Sequence, residues 1–285
     1  KILRLVNRRS YCQRKVLALG LIETTFWSGF MGKFLKNISS FSLGFGAASI
    51  SGEGGGYGFG AMSENQAISL LREARDLGIK LFDTAPIYGF GVSEKRIAKA
   101  FKKNREEVFI VSKSGVDWHE NQRVNMTNDP KVTQKMLEET LRRLESDYVD
   151  LYMIHWPDEN IDIRKPLEVL AKAKEEGKIK HLGLCNTHLE DLNKAQEIEK
   201  IEAVQSEFNI FNRSHAKLLK TLKERDIGFM SWGTLDKGIL TGRVKKNREF
   251  DSLDCRSWAP WWKKSDKDKK IEKMERVLNF LETKG

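Results

Sequence analysis

Val149–Asp158 reads VDLYMIHWPD, an apolar run that closes on a histidine. Before it, Lys131–Glu145 places Val132, Met136, Leu137, Leu141 and Leu144 at helical spacing. After it, Pro166–Glu176 opens with a first-turn proline and stops at Gly177. The local order is therefore helix, strand, helix, and the unit recurs in both directions. Ser42–Gly46, Lys80–Asp83, Val108–Ser112, Val149–His155, Ile179–Leu184, Ala203–Ser206 and Ile227–Trp232 are the expected strands. Between them lie the helical stretches Ser63–Leu77, with Ser63 and Gln66 as a capping box, His188–Ile198 and Ser214–Arg225. Strand and helix alternating at this spacing predict parallel strands joined by right-handed crossovers.

Two α/β architectures fit that pattern, an open doubly wound sheet and a (β/α)8 TIM barrel. The glycine-rich stretch Gly52–Gly60 fails the GxGxxG spacing at every register, so it reads as a flexible loop after the first strand. The order is barrel-like. Seven strands are countable and an eighth is not: a loop through Trp262 and the polar helix Asp266–Thr283 follow Ile227–Trp232. The expectation is a barrel whose eighth βα unit is missing from this chain.

The chain has 285 residues, 40% hydrophobic and 32% charged, a composition that can bury a core and stay soluble and that argues against whole-chain disorder. No stretch approaches the roughly 18 apolar residues of a membrane span. Cys12, Cys185 and Cys255 are odd in number, widely spaced and form no CxxC, so a reducing, cytoplasmic setting is expected. The net charge of +10 is concentrated in residues 1–36, where eight Lys and Arg face Glu23 alone. The body is close to neutral and offers no nucleic-acid groove. Residues 1–30 read as a basic N-terminal extension and 31–285 as the barrel. Arg8-Arg9 and the apolar run Val16–Ile22 suggest an export signal, but the run is minimal and no small-x-small cleavage site follows clearly. An extension, or sequence upstream of a start at Met31, is the simpler account.

Barrel sites form where strands end and βα loops begin. Those ends carry Asp83 and Tyr88 after the second strand, Lys113 after the third and His155 after the fourth. Taken singly, each has an ordinary structural explanation; four at successive strand ends are harder to explain so. A tyrosine hydroxyl with a pKa near ~10 is a poor acid at neutrality. A neighbouring ammonium favours the phenolate and lowers that pKa, and an aspartate holds the ammonium in place. A histidine at the same mouth can donate to a substrate oxygen. The set can protonate a carbonyl oxygen as hydride reaches the carbon, but it holds no hydride donor, so a nicotinamide is implied.

These residues carry a resemblance. DTAPIYG (Asp83–Gly89), Lys113 in IVSKSG and His155 in DLYMIHWPD resemble the aldo-keto reductase family. GLCNTHLEDL (Gly183–Leu192), VQSEFNIFNR (Val204–Arg213) and MSWGTLDKGILTGR (Met230–Arg243) are similar to its strand-five, strand-six and strand-seven segments. The last resembles the branch that includes the β subunits of voltage-gated potassium channels. The resemblance implies a (β/α)8 barrel that reduces an aldehyde or ketone with NADPH and without metal. Under it Tyr88 is the proton donor, Lys113 and Asp83 its tuning pair, and His155 the orienting group. Asn186 and Gln205 would meet the nicotinamide carboxamide, Trp232 would stack on its ring, and Gly233, Leu235 and Arg243 would lie along the pyrophosphate. NADH stays open beside NADPH, because the segment that reads the 2′-phosphate in the family has no match here.

Two local departures are Cys185, where serine is common, and Thr234, where proline is usual. The absent last unit leads to the expectation that the sequence is part of a longer reading frame. A small carbonyl compound is the expected partner, with no nucleic acid and no membrane. The alternative functions are a cofactor-binding regulatory subunit and an inactive fragment. His181, Cys185 and His188 lack a fourth ligand and do not read as zinc. Trp258, Trp261 and Trp262 could wall a substrate pocket or pack the last helix, and the alternating charges of Lys263–Arg276 read as a solvated helix face.

Overall fold

The computed structural model describes residues 32–39, 43–52 and 56–283. The expectations on residues 1–30 lie outside them. Seven parallel strands form one sheet: β1 (Gly44–Gly46), β2 (Leu81–Asp83), β3 (Phe109–Ser114), β6 (Val149–Ile154), β7 (Ile179–Cys185), β8 (Ile201–Glu207) and β9 (Gly228–Trp232). They pair in chain order, and among the described residues nothing joins β9 to β1. The fold is a TIM-barrel-like α/β fold, seven strands wide and nearly closed. The remaining two strands, β4 (Val116–Trp118) and β5 (Val124–Met126), form a separate antiparallel hairpin. Each is only three residues long, too short for a periodic signal in the sequence.

Among the described residues, the α-helices longer than one turn are α1 (Gly32–Ile38), α2 (Glu64–Asp76), α3 (Val92–Phe101), α4 (Pro130–Leu144), α5 (Arg164–Glu175), α6 (Leu189–Ile198), α7 (Ala216–Glu224) and α8 (Lys267–Glu282). α2 starts at the expected capping box: Gln66 N donates to Ser63 Oγ at 3.3 Å, and Ser63 N donates to Gln66 Oε1 at 3.1 Å. α4 starts one residue before its expected position, because Asp129 accepts from the Lys131 and Val132 amides and Pro130 fills the first turn. α3 is not among the expected helices, although its buried Ile97 and Phe101 lie one helical turn apart. Its N-cap is Gly91 in the left-handed region, without a capping side chain.

Strand alternation divides two apolar regions. Ile110, Tyr152, Ile154, Leu182, Leu184 and Val204 face the helices outside, while Leu81, Val111, Leu151, Met153, Cys185, Ala203 and Met230 cluster inside the barrel. α1 plugs the end where the strands begin. Its Leu35 joins the interior cluster, and its Phe34 ring meets His181 edge-on at 4.7 Å. Gly228 makes room for it, since a Cβ there would lie 2.7 Å from Leu35 Cγ.

At the opposite end, long loops span the unpaired seam. Phe59 bridges Asp254, Cys255 N donates to Gly58 O at 2.9 Å, and the Tyr57 and Trp258 rings lie 5.5 Å apart. The loop after β1 is therefore packed, not free, over its described part. A Cβ on Gly56 would lie 2.5 Å from Ile87 O and 2.6 Å from Gly89 N, so glycine lets this loop lie against the Tyr88 turn. No helix among the described residues is long and apolar enough to cross a membrane.

Candidate active site

The strand ends opposite α1 converge on one mouth. Lys113, fully buried, is the last inward-facing residue of β3; its Nζ donates to Asp83 Oδ1 at 2.6 Å and to Thr84 O at 2.8 Å. The ammonium is thus fixed by a carboxylate and a backbone carbonyl, both from the end of β2. That second acceptor carries no sequence signal, since any residue supplies a carbonyl.

Tyr88 lies in the turn between β2 and α3. Its ring centroid is 5.5 Å from Lys113 Nζ and 6.2 Å from the His155 ring, which it meets at 90°. His155 follows β6 and keeps part of its surface open at the mouth. Desolvation, followed by the charge of Lys113, holds its imidazole well below the ordinary histidine range, so it is neutral at physiological pH. The four residues expected together are together.

A second row follows along β7, β8 and β9. Asn186 has φ 54°, and in that left-handed position its Nδ2 donates to His155 O at 3.0 Å. Its Oδ1 accepts from Trp232 Nε1 at 2.9 Å. Cys185 stands opposite Gln205 in the β7–β8 register, and its thiol donates to Gln205 Oε1 at 3.3 Å. Burial pushes that thiol up to about 12, so it is a proton donor here and not a thiolate.

Beyond Trp232 the chain leaves the barrel through Gly233, φ 62°, whose carbonyl accepts from Asn209 Nδ2 at 2.9 Å. The Leu235 carbonyl is used within the loop, accepting from the Gly238 and Leu240 amides. Arg243 is exposed at the far end of the same loop, and no described contact brings its guanidinium to the mouth. The sequence did not mark Lys237. It pairs with Glu207 at the end of β8, and its Nζ lies 5.5 Å from the Trp232 ring centroid and 5.9 Å from that of Trp261.

The tryptophans of the last loop separate by role. Trp262 is buried with Ile239, Val244, Ile271 and Met274 under α8, whereas Trp261 is 39% exposed beside Lys237 and Trp258 faces Tyr57. His181 sits at the plugged end, its Nδ1 3.0 Å from Glu202 Oε1, far from the mouth. Among the described residues no group of three His, Cys, Asp or Glu side chains could hold a metal ion.

A seven-stranded parallel barrel with aspartate, tyrosine, lysine and histidine at its mouth defines the class. The profile of the aldo/keto reductase family matches residues 42–280, and the chain belongs to that family. It is 34% identical over 213 residues to the aldo-keto reductase YhdN of Bacillus subtilis (strain 168), covering 74% of this chain and 64% of that one. It is 30% identical over 226 residues to aldo-keto reductase yakc of Schizosaccharomyces pombe, whose name specifies NADP(+), covering 77% of this chain and 66% of that one. The chain thus spans slightly under two thirds of both relatives. Among solved structures, the glycerol dehydrogenase AKR11B4 from Gluconobacter oxydans superposes with a TM-score of 0.71 at 29% identity, covering 84% of this chain and 74% of that one.

Proposed function

We propose that this chain is an NADPH-dependent carbonyl reductase in which Tyr88 protonates the oxygen of an aldehyde or ketone. The observation that carries the reading is the buried Lys113 ammonium, held by Asp83 and Thr84 O beside the Tyr88 ring and across from a neutral His155. A fixed positive charge next to a phenol stabilises the phenolate left behind when the proton departs. Neutral His155 can donate one N–H to the substrate oxygen and so orient it toward Tyr88.

The residues present fit a nicotinamide. Trp232 offers a half-buried indole held in one plane by its bond to Asn186, which suits stacking on a flat ring. Asn186 and Gln205 bring two amides to adjacent strand ends, the chemistry that pairs with a carboxamide. When bound, the reduced nicotinamide supplies the hydride that no side chain here can supply. Gly233, Leu235 and Arg243 are proposed to follow its pyrophosphate. The NADP(+) in the name of the fission-yeast relative supports NADPH over NADH.

The strand-seven segment also resembles that of channel β subunits, which favours a second reading as a cofactor-binding regulatory subunit. One experiment separates the two. The purified chain is titrated with NADPH and with NADH while tryptophan fluorescence is followed, then loss of nicotinamide absorbance is measured against a panel of aldehydes and ketones. Saturable quenching with turnover is expected. Quenching without turnover on any carbonyl would assign the regulatory role, and no quenching would remove both.

A further inference from the structure

Glu94 is a fully buried carboxylate outside the mouth, on the outer face of the barrel. It lies in the first turn of α3, six residues after Tyr88. Ser112 Oγ donates to its Oε1 at 2.8 Å, and Arg143 Nε of α4 donates to its Oε2 at 2.5 Å. Ser112 is the residue before Lys113 in β3, its side chain directed outward while that of Lys113 points into the barrel. One carboxylate therefore joins the helix that carries the Tyr88 turn to the strand that carries Lys113. Arg143 is itself held by Glu139 at 3.2 Å and lies over Trp118 at 5.8 Å. A parallel tie runs beside Asp83: Thr84 Oγ1 and Ser93 Oγ are 2.8 Å apart, and Ser93 Oγ donates to Ala47 O at 3.0 Å.

A charge placed there is costly. Taking an ion pair out of water forfeits the hydration of both ions, and an apolar pair of the same volume would often pack as stably. An apolar pair lacks direction, however: it could slide along the helix–sheet interface, whereas two hydrogen bonds to one carboxylate, one from Ser112 of β3 and one from Arg143 of α4, fix α3 laterally against both. Resting on the function proposed above, we infer that Glu94 is a positioning residue, fixing the Tyr88 hydroxyl relative to the Lys113 ammonium from behind the sheet.

The test needs no substrate. Tyr88 is one of five tyrosines, and subtracting the phenolate absorbance titration of a Tyr88→Phe background isolates its ionisation. The charged or titratable groups around it are Lys113, Asp83, His155 and, from the loop after β1, Tyr57, which packs on the same apolar cluster. Ser112→Ala removes only the bond from β3 to Glu94 and leaves the Glu94–Arg143 pair, so it is expected to fold and to keep a cooperative melt. In it, the pH at which Tyr88 ionises should rise by about half a unit or more as Lys113 loses registry. In an active enzyme kcat should fall about tenfold with the cofactor KM unchanged. Glu94→Ala should move Tyr88 further in the same direction. An unchanged Tyr88 titration in folded Ser112→Ala would overturn the inference. Absence of turnover in the wild type would instead overturn the proposed function and leave the titration as an independent readout.

Discussion

The indole N–H of Trp232 donates to Asn186 Oδ1 across 2.9 Å, joining the ends of β9 and β7 over the intervening β8. Asn186 can accept that bond because its backbone is left-handed, which turns the amide toward β9 while Nδ2 still reaches His155 O. The aromatic platform and the mouth residues are thereby connected through one amide.

Replacing Trp232 by Phe keeps a ring and deletes that donor. Loss of that one hydrogen bond, about 1 kcal/mol, frees the ring to leave its plane and should weaken NADPH binding by at most about fivefold. Trp232→Ala, which also removes the stacking face, should weaken it far more. Cofactor titrations of both variants measure this, and equal affinity in Trp232→Phe and Trp232→Ala would contradict the stacking role.

Tyr88→Phe should lower kcat by about 10²- to 10⁴-fold, the range general-acid catalysis supplies, while NADPH affinity stays unchanged. Asp83→Asn should do more, because it leaves the fully buried Lys113 ammonium without its counter-charge. Breaking such a pair costs about 3–5 kcal/mol of stability, which urea unfolding of the variant would read. Wild-type turnover in Tyr88→Phe would eliminate Tyr88 as the acid.

His155 gives a pH signature with a definite sign. Its folded pKa lies below the unfolded value of about 6.5, so as pH falls through that value the unfolded chain takes up a proton that the native chain refuses. This contribution leaves stability intact above about pH 6.5 and removes it progressively below. The drop in Tm between about pH 7.5 and 5.5 should therefore be smaller in His155→Gln than in the wild type. An equal drop in both would mean that His155 titrates normally.

Arg256 should govern the loops over the seam. It is bound at both carboxylate oxygens of Asp254, at 2.9 and 2.6 Å, donates to Lys237 O at 2.9 Å, and lies 4.1 Å from the Phe250 ring centroid. Arg256→Met leaves Asp254 buried and unpaired and should cost about 3–5 kcal/mol. Limited proteolysis should then cut earliest around Lys237, and an unchanged cleavage pattern would show that the loops hold without it.

The sequence by itself determined the order of the seven barrel strands and of most of the helices between them, and with it which side chains meet at the mouth. Apolar runs between helical stretches place Asp83, Lys113 and His155 at or just beyond successive strand ends, because period and capping are local properties that a few neighbouring residues settle. The Ser63–Gln66 box is of that kind. Tertiary structure alone decided what depends on partners distant in the chain. Glu94 looks like any helix-surface acid until Ser112 and Arg143 close over it, and Arg256 looks like any loop cation until Asp254 and Lys237 O surround it. Nor could the pattern show that α1 fills one end of the barrel, that Gly56 packs against the Tyr88 turn, or that the loops after β1 and β9 meet across the seam between them. The physical reason is the same throughout: a charge or a backbone group acquires its meaning from the donor or acceptor it meets after burial, and burial is a property of the fold and not of the residue.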